Sequence, residues 1–368
     1  MHDLSDFGDT KKMNTSFLNL SLDAMESWLR ETDESRLNEL WAAADAVRHE
    51  YVGDEVHLRG LLEVSNICSR NCAYCGLRAE NSEVQRYRMS MAEILDCAKI
   101  AKEFGYGTTV IQAGEDYGIT REWMVDIIRK IKEGAGLAVT LSLGERPYED
   151  LESWREAGAD RYLLRFETSN TELYARIHPP AKGKTVSDRP AILRQLKALG
   201  YEAGSGVMIG IPGQTYASVA RDIDLFRELD LDMVGVGPFI AHPDTPLGKN
   251  ELPAAPDGEQ APNTELMTYK VVALTRLACP EANIPSTTAL ATLNLANGRE
   301  LGLLRGANVL MPNMTPPQYR ALYEIYPAKA CIQETARDCN ACIKARIRSI
   351  SRVPGSGHGG RKRGVRVA

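Results

Sequence analysis

The sequence predicts a (β/α)8 barrel. Eight short apolar runs follow one another along the chain, amphipathic helical patterns separate most of them, and polar or glycine-bearing residues gather just after the runs, where a barrel builds its site. Before the first run, helical periodicity places Leu20, Met25, Trp28 and Leu29, then Leu37, Leu40, Trp41, Ala44 and Val47, on apolar faces. This predicts a pair of covering helices within an N-terminal extension, residues 1–53. The runs are 61–64, 109–112, 138–143, 162–166, 205–211, 233–236, 284–288 and 308–311, with helices expected at 91–104, 123–131, 192–199, 219–229 and 265–277. A doubly wound open sheet is the competing arrangement of the same units. Residues 250–263, rich in Pro, Ala, Asp and Gly, read as an exposed insertion, and 54–328 as the barrel. A C-terminal extension, 329–368, ends in a glycine-rich basic tail expected to be flexible or draped on the surface.

Composition narrows the function classes. A chain of 368 residues that is 43% hydrophobic and 25% charged buries a full core, so an enzyme-sized globular fold is expected. With 44 Lys and Arg against 49 Asp and Glu, the net charge of -5 argues against broad binding to nucleic acid or to a membrane surface. Residues 1–12 are polar without an apolar core, and no stretch approaches the ~20 apolar residues of a membrane helix, so a cytoplasmic protein is expected. Eight cysteines fall into two tight groups, with Cys97 and Cys279 apart, which suits metal binding in a reducing compartment better than disulfides.

The first group, Cys68, Cys72 and Cys75, has C-x3-C-x2-C spacing on the loop after the first run. Three thiolates on one tight loop hold three irons of a 4Fe-4S cube and leave the fourth iron open, whereas a structural zinc site closes four ligands. A zinc knuckle borrowing a distant cysteine is the alternative. The strand ends add Gln112-Ala-Gly-Glu115, Arg165-Phe-Glu-Thr168, a glycine-studded stretch over 204–215, and Thr287-Thr288. Gly114 permits close backbone approach. Arg165 and Glu167 form either an ion pair or a ligand contact, and the glycines of 204–215 admit either a ligand or a packed strand.

With Tyr74 before its last cysteine, the first group resembles the signature of the radical S-adenosylmethionine (radical SAM) superfamily. The blocks Cys72-Ala-Tyr-Cys-Gly-Leu-Arg78, Arg86-Tyr-Arg-Met89, Thr140-Leu-Ser-Leu-Gly-Glu145, Pro212-Gly-Gln-Thr215, His242-Pro-Asp-Thr-Pro246 and Val309-Leu-Met-Pro-Asn313 resemble, within it, the HydE family of FeFe hydrogenase maturases. The likeness runs from about residue 60 to 345 and touches all eight strand ends. It implies that Cys68, Cys72 and Cys75 ligate a 4Fe-4S cluster whose open iron is chelated by S-adenosyl-L-methionine (SAM). Tyr74, Gln112, Glu167, Arg189 and Met208 match the SAM pocket, with Glu167 on the ribose and Arg189 on the methionine carboxylate. Arg165, Thr287, Thr288 and Tyr326 match a substrate-anion site. Cys331, Cys339 and Cys342 match an accessory 2Fe-2S or 4Fe-4S site, away from the first loop; zinc or unmetallated thiols are the alternatives.

The same resemblance implies reductive cleavage of SAM to a 5′-deoxyadenosyl radical that acts on a cysteine-bound iron carbonyl cyanide precursor of the H-cluster. The partners implied are a radical SAM maturase supplying that complex, a GTPase scaffold, and a low-potential donor such as flavodoxin or ferredoxin. One departure stands out: family members carry His after the strand-end Arg, and this chain has Phe166, which strand alternation turns away from Arg165 and Glu167. The alternatives are a carbon-skeleton mutase or sulfur-insertion enzyme resembling methylornithine synthase or biotin synthase, and a non-enzymatic iron-sulfur carrier or scaffold.

Overall fold

The computed structural model describes residues 20–180, 185–332 and 334–364, so the polar segment 1–12 and the last four residues lie outside it. Parallel strands β1 (Glu55–Ser65), β2 (Thr108–Ala113), β3 (Ala138–Ser142), β4 (Arg161–Leu163), β5 (Glu202–Ile209) and β6 (Met233–Pro238) pair in sequence order. On its other edge β1 pairs in parallel with β7 (Val309–Leu310) through His57 with Val309 and Leu58 with Leu310. Nearly every residue of these strands is buried, because helices cover the outer face while side chains fill the inner one.

Between β6 and β7 the run at 284–288 does not become a ladder strand. It makes two single parallel bridges, Asn283 to Met233 and Pro285 to Val309. Pro285 has no amide hydrogen to offer a ladder, and Thr287 already caps the next helix. The ring nevertheless closes. Asn283 N–H donates to Asp232 O and Val234 N–H to Asn283 O, both at 2.9 Å, while on the far side Ser286 N–H donates to Val309 O at 3.0 Å and Asn308 N–H to Ile284 O at 2.8 Å. The result is the predicted barrel, with its seventh position held by bridges alone.

Most helices start on a side chain able to cap them. Ser90 and Glu93 form a reciprocal capping box, and Thr120, Asn170, Asp188, Thr215 and Thr264 each accept an amide of the first turn. The two N-terminal helices, Leu22–Arg30 and Glu34–Val52, bury the expected faces, Met25, Trp28 and Leu29, then Leu37, Leu40, Ala44 and Val47, against the outer helices Tyr216–Glu228 and Glu265–Ala278. Among the described residues no helix is long and apolar enough to cross a membrane.

The glycine-rich tail is draped, and it lies across the N-terminal floor of the barrel. A short strand β8 (Val353–Pro354) pairs with the start of β1. Beyond it the Gly359 carbonyl accepts from Arg59 Nη2 at 2.9 Å and Asn283 Nδ2 at 3.2 Å, and the His358 carbonyl accepts from Arg161 Nη2 at 3.0 Å and Thr108 Oγ1 at 2.9 Å. Arg361 and Arg363 then pair with Asp230 and Asp232, and Arg361 also with Glu281. Burial, helped by Arg161 next to it, brings Arg59 down to about 9. A guanidinium so placed needs acceptors, and the tail carbonyls supply one.

Candidate active site

β1 ends at Ser65, and residues 66–76 turn across the C-terminal mouth of the ring. Asn66 Nδ2 donates to the Gln85 and Leu322 carbonyls at 2.8 and 2.7 Å, while the Arg86 guanidinium spans the carbonyls of Asn66, Leu77, Arg78 and Asn81. Glycine is needed at two close approaches. A Cβ on Gly76 would stand 2.3 Å from the Glu324 carbonyl oxygen, and one on Gly114 2.3 Å from that of Ile67. What Gly114 admits is therefore the cysteine loop itself, and the neighbouring Glu115 N–H donates to Cys68 Sγ at 3.4 Å.

Cys68, Cys72 and Cys75 are all free and partly exposed. Burial of the thiols pushes each one up, Cys72 to about 12 against the opposing pull of Arg189, so ligating iron must displace their protons. Among the described residues no three Cys, His, Asp or Glu side chains gather closely enough for a single metal ion. A cube asks for something else, one thiolate at each of three corners.

Beneath the loop lies a cavity of about 340 Å³, ringed by the strand ends. Tyr74 and Cys75 enter it from the loop, Gln112 from the end of β2, Met208 from β5, Glu167 from the turn after β4, and Arg189 from the first turn of the helix Arg189–Ala198. Arg165, Thr287, Thr288 and Tyr326 line the same space. So do Cys331 and Cys339, whereas Cys342 is exposed one turn further along the helix Ala336–Ser349. The second cysteine group, expected away from the first loop, thus opens onto the cavity that Cys75 enters. Phe166 points outward as expected and packs on Phe226, with ring centroids 5.5 Å apart.

The polar groups here are held but incompletely satisfied. Glu167 sits at φ 65, a backbone strain that turns its carboxylate inward. Arg165 Nη2 lies 3.1 Å from Glu167 Oε2 and donates to the Val207 carbonyl at 2.6 Å. Even so, Glu167 Oε2 and Arg165 Nε are buried without an aligned hydrogen-bond partner. Burial raises the Glu167 carboxyl, with Arg165 and Arg189 opposing. Arg189 spends Nε on Glu145 at 2.9 Å and Nη1 on the Arg165 carbonyl at 2.6 Å, and its Nη2 has no acceptor among the described residues. A buried carboxylate and a guanidinium nitrogen without an acceptor, lining one cavity beside the cysteine loop, suit a ligand with hydroxyls at one place and a carboxylate at another. These residues therefore fit a cluster-bound SAM. Thr287 Oγ1, by contrast, donates to the Val236 carbonyl at 3.2 Å and accepts from Leu290 N–H at 3.4 Å, so its hydroxyl is already engaged.

The glycines of 204–215 do not line the cavity. A Cβ on Gly206 would meet the Gly235 carbonyl oxygen at 1.8 Å, so this stretch packs β5 against β6 and it is Gly235 and Gly237 that face the space. Several side chains in and around the site escaped sequence reasoning: Glu145 as the partner of Arg189, His178 between Tyr74 and Arg189, the pair Lys329 and Glu63 at 2.5 Å, and Arg299, whose Nη2 donates to Cys331 Sγ at 3.2 Å. Glu145 had a signal, since it closes one of the family-like blocks. The others are joined only by tertiary contact.

Known proteins resemble this chain over most of its length. The family model of the radical SAM superfamily matches residues 62–239. The FeFe hydrogenase maturase subunit HydE of Thermotoga maritima is 47% identical over 324 residues, covering 88% of this chain and 89% of that protein. The 3-methylornithine synthase of Methanosarcina acetivorans is 28% identical, covering 93% of this chain and 92% of its own. The crystal structure of methylornithine synthase (PylB) superposes with a TM-score of 0.76 at 26% identity, over 91% of this chain and 94% of that one. The chain belongs to the radical SAM superfamily and, within it, to the HydE family.

Proposed function

We propose that this radical SAM enzyme acts on a cysteine-bound iron carbonyl cyanide precursor during assembly of the FeFe hydrogenase H-cluster. The observation that supports this most is convergence: the SAM-pocket and substrate-site residues implied by the HydE resemblance arrive from different strand ends, a helix start and the cysteine loop, and line one cavity. When bound, the reduced cluster and SAM supply a 5′-deoxyadenosyl radical. The chain's part is placement. Cys68, Cys72 and Cys75 would hold three irons, the Glu167 carboxylate would accept from the ribose, and Arg189 Nη2 would donate to the methionine carboxylate, with Tyr74, Gln112 and Met208 as walls. Arg165, Thr288 and Tyr326 receive the carboxylate of the substrate's cysteine, next to the capped Thr287. Leu61, Leu163 and Met233 make an apolar part of the lining that keeps water away. This role calls for a radical SAM partner that supplies the iron complex, a GTPase scaffold, a low-potential donor such as flavodoxin or ferredoxin, and a cytoplasmic setting.

Arg165→Leu tests the substrate side. It removes a charge-assisted contact, so substrate affinity is expected to weaken by roughly tenfold to a hundredfold, with a smaller change in SAM affinity. Hydrogenase activation in an assembly system and SAM binding, measured on the same variant, check this. Normal activation by Arg165→Leu would discard the anion site, and wild-type protein that fails in assembly but rearranges an amino acid such as lysine would move the reading to a mutase.

Cys331, Cys339 and Cys342 are proposed as the accessory cluster ligands. The Cys331 sulfur is held low by hydrogen bonds from the Cys339 thiol and from Arg299, a donor-rich setting for a thiolate ligand. Cys339→Ser is expected to lower iron content per chain while SAM cleavage persists, since it leaves Glu167, Arg189 and the first loop untouched. Loss of all cleavage in folded protein would instead make the second group catalytic.

A further inference from the structure

On the reading of this cavity as a SAM pocket, we propose that His178 is a positioning residue that fixes the Tyr74 hydroxyl and the Arg189 guanidinium relative to each other, so that the cysteine loop and the carboxylate-binding arginine act as one unit. His178 is the residue that ends the helix Thr171–Ile177, and it is 1% exposed. Its Nε2 lies 2.9 Å from the Tyr74 hydroxyl and 3.2 Å from Arg189 Nη1. A guanidinium has only hydrogens to give, so Nε2 must be an acceptor and the ring proton must sit on Nδ1. Tyr74 then has one role open to it: its O–H donates to Nε2, and the lone pairs of the phenolic oxygen stay available to an N–H group of the bound cofactor.

Two further observations point the same way. Nδ1 is buried without an aligned hydrogen-bond partner, with the Tyr174 backbone as its neighbouring acceptor. That is costly in a core, and a phenylalanine stacked on Tyr174 as His178 is, at 4.5 Å between centroids, would avoid the cost; what the imidazole adds is its Nε2 side. The preceding residue ties the cysteine loop to the end of this helix through the backbone, for the Ile177 carbonyl accepts from Ala73 N–H at 2.8 Å. Burial, and after it Arg189, holds the imidazole well below its usual range, in keeping with a ring that stays neutral and only accepts.

The test uses cluster-reconstituted full-length protein and the SAM dissociation constant from equilibrium dialysis. His178→Phe is expected to weaken SAM binding by roughly tenfold or more at unchanged iron content, and His178→Gln, which keeps a side-chain acceptor, to recover most of it. Tyr74→Phe is expected to weaken binding too, and the double variant Tyr74→Phe/His178→Phe to be far less impaired than the product of the two effects, because both remove the same link. Wild-type affinity in His178→Phe, equal damage in Phe and Gln variants, or fully multiplicative effects would each overturn the proposal. Should His178→Phe fail to load iron, the comparison of His178→Gln with Tyr74→Phe decides: a Gln variant that loads iron yet binds as poorly as Tyr74→Phe counts against it, and one near wild type supports it. Wild-type protein that binds no SAM would sink the cofactor reading instead.

Discussion

Cys72→Ala is expected to abolish formation of 5′-deoxyadenosine from SAM. The substitution deletes one of the three proposed cluster ligands while leaving the loop's architecture, which rests on Asn66, Arg86 and the backbone contacts of Ser69, Ala73 and Gly76, in place. A cube held by two thiolates cannot keep three irons ligated with a single iron open, so the seat for SAM is lost with the cluster. Anaerobic turnover with a strong reductant reads the loss directly. Electron paramagnetic resonance gives a second reading: adding SAM should perturb the reduced-cluster signal of wild-type protein and leave any residual signal of the variant unchanged. Retained cleavage in Cys72→Ala would remove the first cysteine group from the mechanism.

Arg189→Leu is expected to weaken SAM binding by about a hundredfold and also to destabilise the fold. Nη2 is the nitrogen left free for a carboxylate, and a charge-assisted contact through it is lost outright. The remaining edges hold Glu145 and the Arg165 carbonyl, with the Arg189 and Glu145 side chains only 8% and 13% exposed. Removing one partner of a buried pair costs about 3 to 5 kcal/mol, because the other charge stays behind. Glu145 would keep as charged partner only Arg70, 3.6 Å away, beside the Ser187 hydroxyl that donates to it at 2.8 Å. In the wild type, burial raises the Glu145 carboxyl, but Arg189 and Arg70 outweigh it and hold the group below its ordinary range. Its contribution to stability is therefore present above the unfolded carboxylate range and lost as the pH falls through the lowered folded value. Arg189→Leu should melt lower at neutral pH and show a shallower loss on acidification. Melting curves at two pH values and a SAM titration test both halves, and affinity within threefold of wild type would sink the carboxylate role.

The place of the cysteine loop was legible because its information is local: three thiols at fixed spacing follow the first apolar run, which puts them at the mouth of the ring. Strand-end residues such as Gln112, Glu167 and Thr288 were legible once the barrel was, since a barrel sends every strand end to one face. The seventh strand was misjudged because an apolar run announces burial and says nothing of whether Pro285 can donate to a ladder. Gly206 had two readings that sequence alone weighs equally, and packing decided for strand contact. His178 lay beyond reach for a different reason. Its helix is not among those the periodicity marks, and its meaning depends on which atoms of Tyr74 and Arg189 arrive there from over 100 residues upstream and from just beyond the 181–184 segment.

β1 is the first strand made, and the cysteine loop leaves it directly, yet its outer edge pairs with residues 309–310 and 353–354. During synthesis that edge has no partner until more than four-fifths of the chain has been made, and the floor is complete only when Gly359 comes to lie under Arg59. Closure is thus a late, long-range event of the kind that slows folding. Until then the loop that carries Cys68, Cys72 and Cys75 hangs from a sheet with one edge still unpaired.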